Sequence, residues 1–366
     1  MRIASAVFLA TLALSPTAQA DLRRKSAPVL ILHDWYGKSP ASTPSFVREH
    51  LAFLESQPFD GLALYLRSPD LSINVTTSVM SREPIPYEKI AEVLKPVAGL
   101  TSRTLVHNFA AVLSLKTPDV FDDWSVVLQN FGFLARASRE AGLKGIYFDN
   151  ENYEARWADY PTGVAQPRKT LAEYQAQARL RGKQVMKALT AAYADLTVLT
   201  LHGPYVSEPK APSPLFPSWA LSNRLLGPFF AGFVEGAGAK ARVVDGGELY
   251  HLRTAEEFRR SYDWRKNALA SDQVDCAYLP KDVRTQWAGR VEIAFGLYDR
   301  PFSGQEMTPA VLSEVLTRAL KQTDRYVWLY VEGPTFLLPP SKGGAEADWV
   351  AAVRRGREEA LKKPSR

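Results

Sequence analysis

Short apolar runs alternate along this chain with longer stretches in which apolar residues recur every three or four positions. The first pattern predicts buried strands and the second amphipathic helices. Strands are predicted at 29–33, 61–66, 104–108, 145–149, 197–202, 241–245, 291–298 and 326–332. Helices are predicted at 45–56, 87–99, 122–141, 170–193, 218–236, 255–269, 309–322 and 349–361. Near-continuous apolar strands joined by helical crossovers imply a parallel sheet covered on its outer face. Eight such units in 366 residues predict an α/β fold, a single-domain (β/α)₈ TIM barrel. A doubly wound sheet is the competitor. It usually carries a Gly-rich phosphate turn after its first strand, and here that position reads HDWYGK.

In a barrel of this kind the reactive groups stand at the C-terminal strand ends. The first end offers His33, Asp34, Trp35 and Tyr36, the second Tyr65 and Arg67, and the third His107, Asn108 and Phe109. The fourth offers Asp149 and Glu151, followed by Tyr153. The fifth offers His202 and Tyr205, and the sixth Asp245, Glu248, Tyr250 and His251. The seventh offers Tyr298, Asp299 and Arg300, and the eighth Glu332. Any one of these could be a loop residue or a helix cap. As a set they are costly unless they face a solvated mouth or are paired. Side chains two apart share a strand face. Tyr147 therefore points inward with Asp149, while Ile146 and Phe148 face the helices. Trp328 and Tyr330 likewise share the inner face with Glu332. These aromatics either line a ligand cleft or fill the barrel.

Composition adds an address and removes some partners. Residues 1–20 open with Arg2, run mostly apolar from Ile3 to Leu14 and end on Ala18-Gln19-Ala20. That is the pattern of a secretory signal peptide, with residues 21–366 as the exported barrel and its basic C-terminal tail. A bacterial periplasm or the medium is the expected location. The sole cysteine, Cys276, excludes an intramolecular disulfide. The net charge of +6 is concentrated partly in Arg23, Arg24 and Lys25 and in Arg354, Arg355, Arg357, Lys362, Lys363 and Arg366. Basic ends of this kind are usually solvated, so neither nucleic acid nor membrane insertion is expected.

Carboxylates with aromatics at a barrel mouth suit glycoside hydrolysis. One carboxylic acid protonates the leaving oxygen, and a second group stabilises or attacks the oxocarbenium-like centre. The stretch GIYFDNENY, from Gly145, resembles the fourth-strand motif of family 18 chitinases, with Gly145, Asp149 and Glu151 on the motif positions. That resemblance implies Glu151 as general acid and Asp149 as its partner. The family's earlier acidic positions hold Lys144 and Tyr147 here. The same stretch is similar to the fourth strand of α-glycosidase barrels, which implies Asp149 as nucleophile and Asp245 as acid. Glu332, beside Gly333, is a third candidate.

The catalytic candidates are thus Asp149, Glu151, Asp245 and Glu332. The substrate-binding candidates are His33, Asp34, Trp35, Tyr65, His107, Asn108, Tyr147, Tyr153, His202, Tyr205, Glu248, Tyr298, Trp328 and Tyr330. An oligo- or polysaccharide is the expected partner, with no cofactor. Glu235 and Asp299 read as structural. The alternatives are a metal-dependent barrel hydrolase, such as a polysaccharide deacetylase drawing on His33, His107, His202 and His251, and a non-catalytic carbohydrate-binding barrel. No H-x-H follows the first strand and no H-E-x-x-H occurs, so no metal ligands are assigned.

Overall fold

A computed structural model describes residues 27–37, 40–68, 70–153, 155–164, 169–207, 223–271 and 279–362. The expected signal peptide, the basic residues 23–25, most of the Pro-rich loop, Cys276, Glu154 and the last four residues lie outside the described residues. Eight parallel strands form the barrel: β1 (Val29–Asp34), β2 (Gly61–Leu64), β3 (Phe109–Leu113), β4 (Gly145–Asp149), β5 (Thr197–Thr200), β6 (Arg242–Asp245), β7 in two pieces (Val291–Ile293 and Phe295–Tyr298) and β8 (Tyr326–Val331). The ring closes through β7. Its first piece pairs with β6 and its second with β8, while β8 pairs with β1.

Helices α1 (Pro44–Glu49), α2 (Leu51–Leu54), α3 (Val75–Ser78), α4 (Tyr87–Leu94), α5 (Ser125–Glu140), α6 (Leu171–Ala192), α7 (Leu226–Gly236), α8 (Ala255–Asp263), α9 (Lys281–Arg290), α10 (Pro309–Gln322) and α11 (Ala347–Leu361) surround it. Their starts follow local chemistry. Thr170 and Thr254 cap α6 and α8 in reciprocal capping boxes with Glu173 and Glu257. Thr308 caps α10, with Pro309 in its first turn. Among the described residues, no helix is long and apolar enough to cross a membrane.

Strand alternation divides the core in two. Ile31, Ala63, Phe109, Tyr147, Leu199, Val244 and Trp328 fill the barrel interior. Ile146, Phe148, Val327, Leu329 and Val331 belong to the layer between strands and helices.

The third strand is displaced from its predicted place. Residues 104–108 form a turn beneath the barrel, with the Asn108 side chain donating to the Leu105 carbonyl and accepting from the Leu62 N–H at 2.9 Å each. The strand begins at Phe109, opposite Ala63. His107 and Asn108 consequently lie at the N-terminal end, where His107 sits edge-on to Tyr326. They are not mouth residues. The helix α9 carries no clear apolar period, and of its ten residues only Val283 and Trp287 are buried.

Candidate functional site

The mouth is organised around the end of β4. Its backbone is held from both sides: Ser114 N–H donates to the Asp149 carbonyl, and Asn150 exchanges two hydrogen bonds with the His202 backbone at 2.9 and 3.0 Å. Asn150 therefore locks the ends of β4 and β5 together. Asn152 accepts from the Ala158 N–H and shapes the following turn. Asp149 and Glu151 are fixed in place by this clamp.

Asp149 is buried, and its Oδ2 accepts from the Tyr153 hydroxyl at 2.7 Å. Burial, reinforced by the charge of Glu151, pushes its carboxyl up to about 8. Glu151 is more open. Burial pushes it upward, but hydrogen bonds from His202 and Tyr153 outweigh that and hold it below the usual carboxylate range. The buried His202 ring meets Tyr205 through Nδ1 at 3.2 Å and places Nε2 3.3 Å from Glu151 and 3.2 Å from Glu248. Glu248 accepts from Tyr250, yet burial and the charges of Glu151 and Asp149 raise it well above its ordinary value. Three carboxyl groups thus share one recess, and their environments drive Glu151 toward the ionised form and Glu248 and Asp149 toward the protonated form.

Glu248 reaches this recess because of the turn after β6. Gly247 has φ +60°, a conformation glycine adopts without strain, and it redirects the chain inward. Asp245, two residues earlier, points the other way. Its side chain is fully buried, and Arg265 grips it at 2.8 and 3.0 Å. The expectation that Asp245 is the acid of the mouth is therefore corrected: it is a structural ion pair behind the barrel wall.

A cavity of about 520 Å³ opens above the recess. Asp149, Glu151, Glu248, Tyr153 and His33 form part of its wall, and Trp35, Tyr65, Tyr330 and Glu332 another part. Tyr36 and Tyr250, present at strand ends but not marked as binding residues, also line it. His33 is held at 2.8 Å by the Tyr147 hydroxyl, and burial lowers its pKa to about 3, opposed by Glu151, so the ring is neutral. Glu332 stands at the rim, where the Tyr298 and Tyr330 hydroxyls donate to it. Asp299 accepts the backbone N–H groups of Glu332 and Gly333 at 2.9 and 2.8 Å and sets this turn.

Four other expected binding residues lie behind the surface. Asp34 is buried and accepts from Thr335 at 2.6 Å. Tyr147 and Tyr205 are buried supports for His33 and His202. Trp328 fills the barrel and donates to the Gly246 carbonyl at 2.9 Å. A second cavity of about 450 Å³ shares Glu151 and Tyr153 with the first, and is lined on its far side by His202, Asn152, Arg156, Asp159 and Asn223. Arg156 and its neighbours carry no strand-end signal, which is why the pattern of the chain does not single them out.

One donor set in the recess has the makings of a metal tripod. Single donor atoms of Glu151, His202 and Glu248 lie within 4.8 Å of one another. No family model and no curated protein matches the chain, and the solved structures it is similar to are of low identity. The catalytic-site mutants of active domain 2 of a thermostable chitinase from Pyrococcus furiosus are 11% identical, with 93% of this chain and 98% of that chain covered and a TM-score of 0.44. An endo-β-N-acetylglucosaminidase from Cordyceps militaris is 11% identical, covering 96% and 98% with a TM-score of 0.44. A 3-keto-D-glucoside 4-epimerase from E. coli is 13% identical, covering 90% and 98% with a TM-score of 0.37. These proteins differ in chemistry among themselves, and none fixes the reaction here.

Proposed function

We propose that this barrel is a glycosidase that hydrolyses glycosidic bonds of an oligo- or polysaccharide, with Glu248 as the acid and Glu151 as the carboxylate facing the anomeric carbon. The observation that carries this reading is the pair itself. Two carboxyl groups from β4 and β6 meet at one histidine, and their surroundings push their proton affinities in opposite directions. Such divergence is how one site supplies both a proton donor and an ionised carboxylate at neutral pH. Oxygens of the two groups approach within 4.8 Å. That close approach is in keeping with the about 5–5.5 Å carboxyl spacing of retaining enzymes rather than the about 6.5–9.5 Å of inverting ones. Asp149 acts through Tyr153, whose hydroxyl it holds beside Glu151, while burial and the charge of Glu151 keep Glu248 protonated. The experiment is reducing-end release from a panel of oligosaccharides by wild type, Glu151→Gln and Glu248→Gln. Activity in the wild type and its loss in both variants support the assignment, and undiminished activity in either overturns it.

The donor tripod favours a second reading, a metal-dependent hydrolase such as a polysaccharide deacetylase. Glu151, His202 and Glu248 would then hold a divalent ion, which supplies Lewis-acid activation of a water when bound. Acetate release that depends on added metal, with no new reducing ends, would favour it over glycoside hydrolysis.

A further inference from the structure

The main cavity holds more carboxyl groups than hydrolysis requires. The reaction needs two, and Glu151 and Glu248 supply them. Asp149 and Glu332 line the same cavity of about 520 Å³. Among the described residues, none of its lining is Lys or Arg. Of the nearby arginines, Arg156 pairs with Asp159 in the adjoining cavity and Arg265 with Asp245 behind the wall, while the exposed Arg300 stands beside the Gly333 turn and outside the lining. The rest of the wall is largely aromatic. Trp35 is 46% exposed, Tyr36 stacks on Tyr65 at 4.7 Å, and Tyr330 stacks on Tyr298 at 5.5 Å. Such ring faces pack on sugar rings and also attract cations. Glu332 is held for display at the rim, with two tyrosine hydroxyls on its carboxylate and its backbone N–H fixed by Asp299.

We propose that the substrate of this cleft is an oligosaccharide of amino sugars with free, protonated amines, bound with an ammonium group between Glu332 and the aromatic wall. This rests on the glycosidase reading of the same site. A uronate would meet carboxylates without a counter-cation. An N-acetylated sugar would leave the Glu332 carboxylate without a counter-charge. A cationic sugar supplies the charge that the lining lacks, and it fills an aromatic volume that a bare metal ion would leave empty.

The test uses glucosamine, N-acetylglucosamine and galacturonate tetramers, titrated calorimetrically into the Glu151→Gln protein and assayed for cleavage by wild type. The expected result is that the glucosamine tetramer binds at least about tenfold more tightly than the N-acetylated one, a margin set by one charge-assisted contact. The galacturonate tetramer is expected not to bind. The preference should shrink in the Glu151→Gln/Glu332→Gln protein and in 0.5 M NaCl. Glu332 is exposed, so its replacement does not threaten the fold. Equal or tighter binding of the N-acetylated or galacturonate tetramer, or a preference unchanged by Glu332→Gln, overturns the substrate class and leaves glycoside hydrolysis standing. Tight glucosamine binding without cleavage by wild type supports the class and overturns the reaction. No binding of any tetramer overturns both.

Discussion

Asp245→Ala separates the structural role assigned to this residue from the catalytic one that its strand-end position suggests. The Asp245 carboxylate and the Arg265 guanidinium are both fully buried, joined at 2.8 and 3.0 Å. Arg265 also donates to the Asp245 and Ala294 carbonyls at 2.8 and 2.9 Å. Truncating Asp245 removes the one carboxylate that, among the described residues, pairs with the guanidinium, and leaves it facing neutral carbonyls. Breaking a buried pair this way costs about 3–5 kcal/mol, a large part of the ~5–15 kcal/mol that holds a domain together. At about 2 °C per kcal/mol, the low end suited to a chain this large, Tm should fall by roughly 6–10 °C. Replacing both partners by apolar residues, Asp245→Leu with Arg265→Met, should recover much of that loss. The assay is thermal denaturation at pH 7 beside kcat of the folded protein. The expected result is a lowered Tm, with kcat within about tenfold of wild type, since loss of a general acid costs about 10²–10⁴. An unchanged Tm with a thousandfold drop in kcat would refute it.

Further expectations concern the recess. Glu151→Gln and Glu248→Gln should each lower kcat by about 10²–10⁴ while far-ultraviolet circular dichroism stays the same. The pH profile of kcat/KM should rise as Glu151 ionises, below the usual carboxylate range, and fall on the alkaline side as the Asp149–Glu248 cluster loses its proton; Asp149 lies at about 8. The same shift bears on stability. The folded-state value for Asp149 is raised, so its contribution is fully present below the unfolded pKa of about 4 and is lost as pH rises through about 8. Asp149→Asn should therefore raise Tm relative to wild type at pH 8 more than at pH 4, measured by calorimetry in matched buffers. Dialysis against a chelator should leave hydrolysis unchanged; its loss, with recovery on adding a divalent ion, would favour the tripod as a metal site.

Much of the barrel is legible in the chain because its signals are local. The bounds predicted for the fourth strand and for the helix at 309–322 coincide with β4 and α10, where an apolar run ends in a polar cluster and where a Thr-Pro cap starts the helix. The third strand shows where local pattern fails. TLVHNFAAVL contains two apolar frames, and the long-range bond from Leu62 to Asn108 chooses between them. The site divides in the same way. That carboxyl groups gather at strand ends is readable from position. That Glu248 enters the recess while Asp245 leaves it depends on the left-handed turn at Gly247 and on Arg265, twenty residues downstream. The inward set Tyr147, Trp328 and Tyr330 follows from alternation alone, but depth does not: Trp328 fills the barrel, while Tyr330 reaches the cavity.

The pairing of Glu151 with Glu248 as a closely spaced acid and nucleophile is tested most directly by the anomeric configuration of the first-formed product. It can be read by proton NMR during cleavage of an oligosaccharide by wild type, with Glu151→Gln as the control. Retained configuration, with no product from Glu151→Gln, is the predicted result. Inverted configuration, or product formed by Glu151→Gln at the wild-type rate, would contradict it.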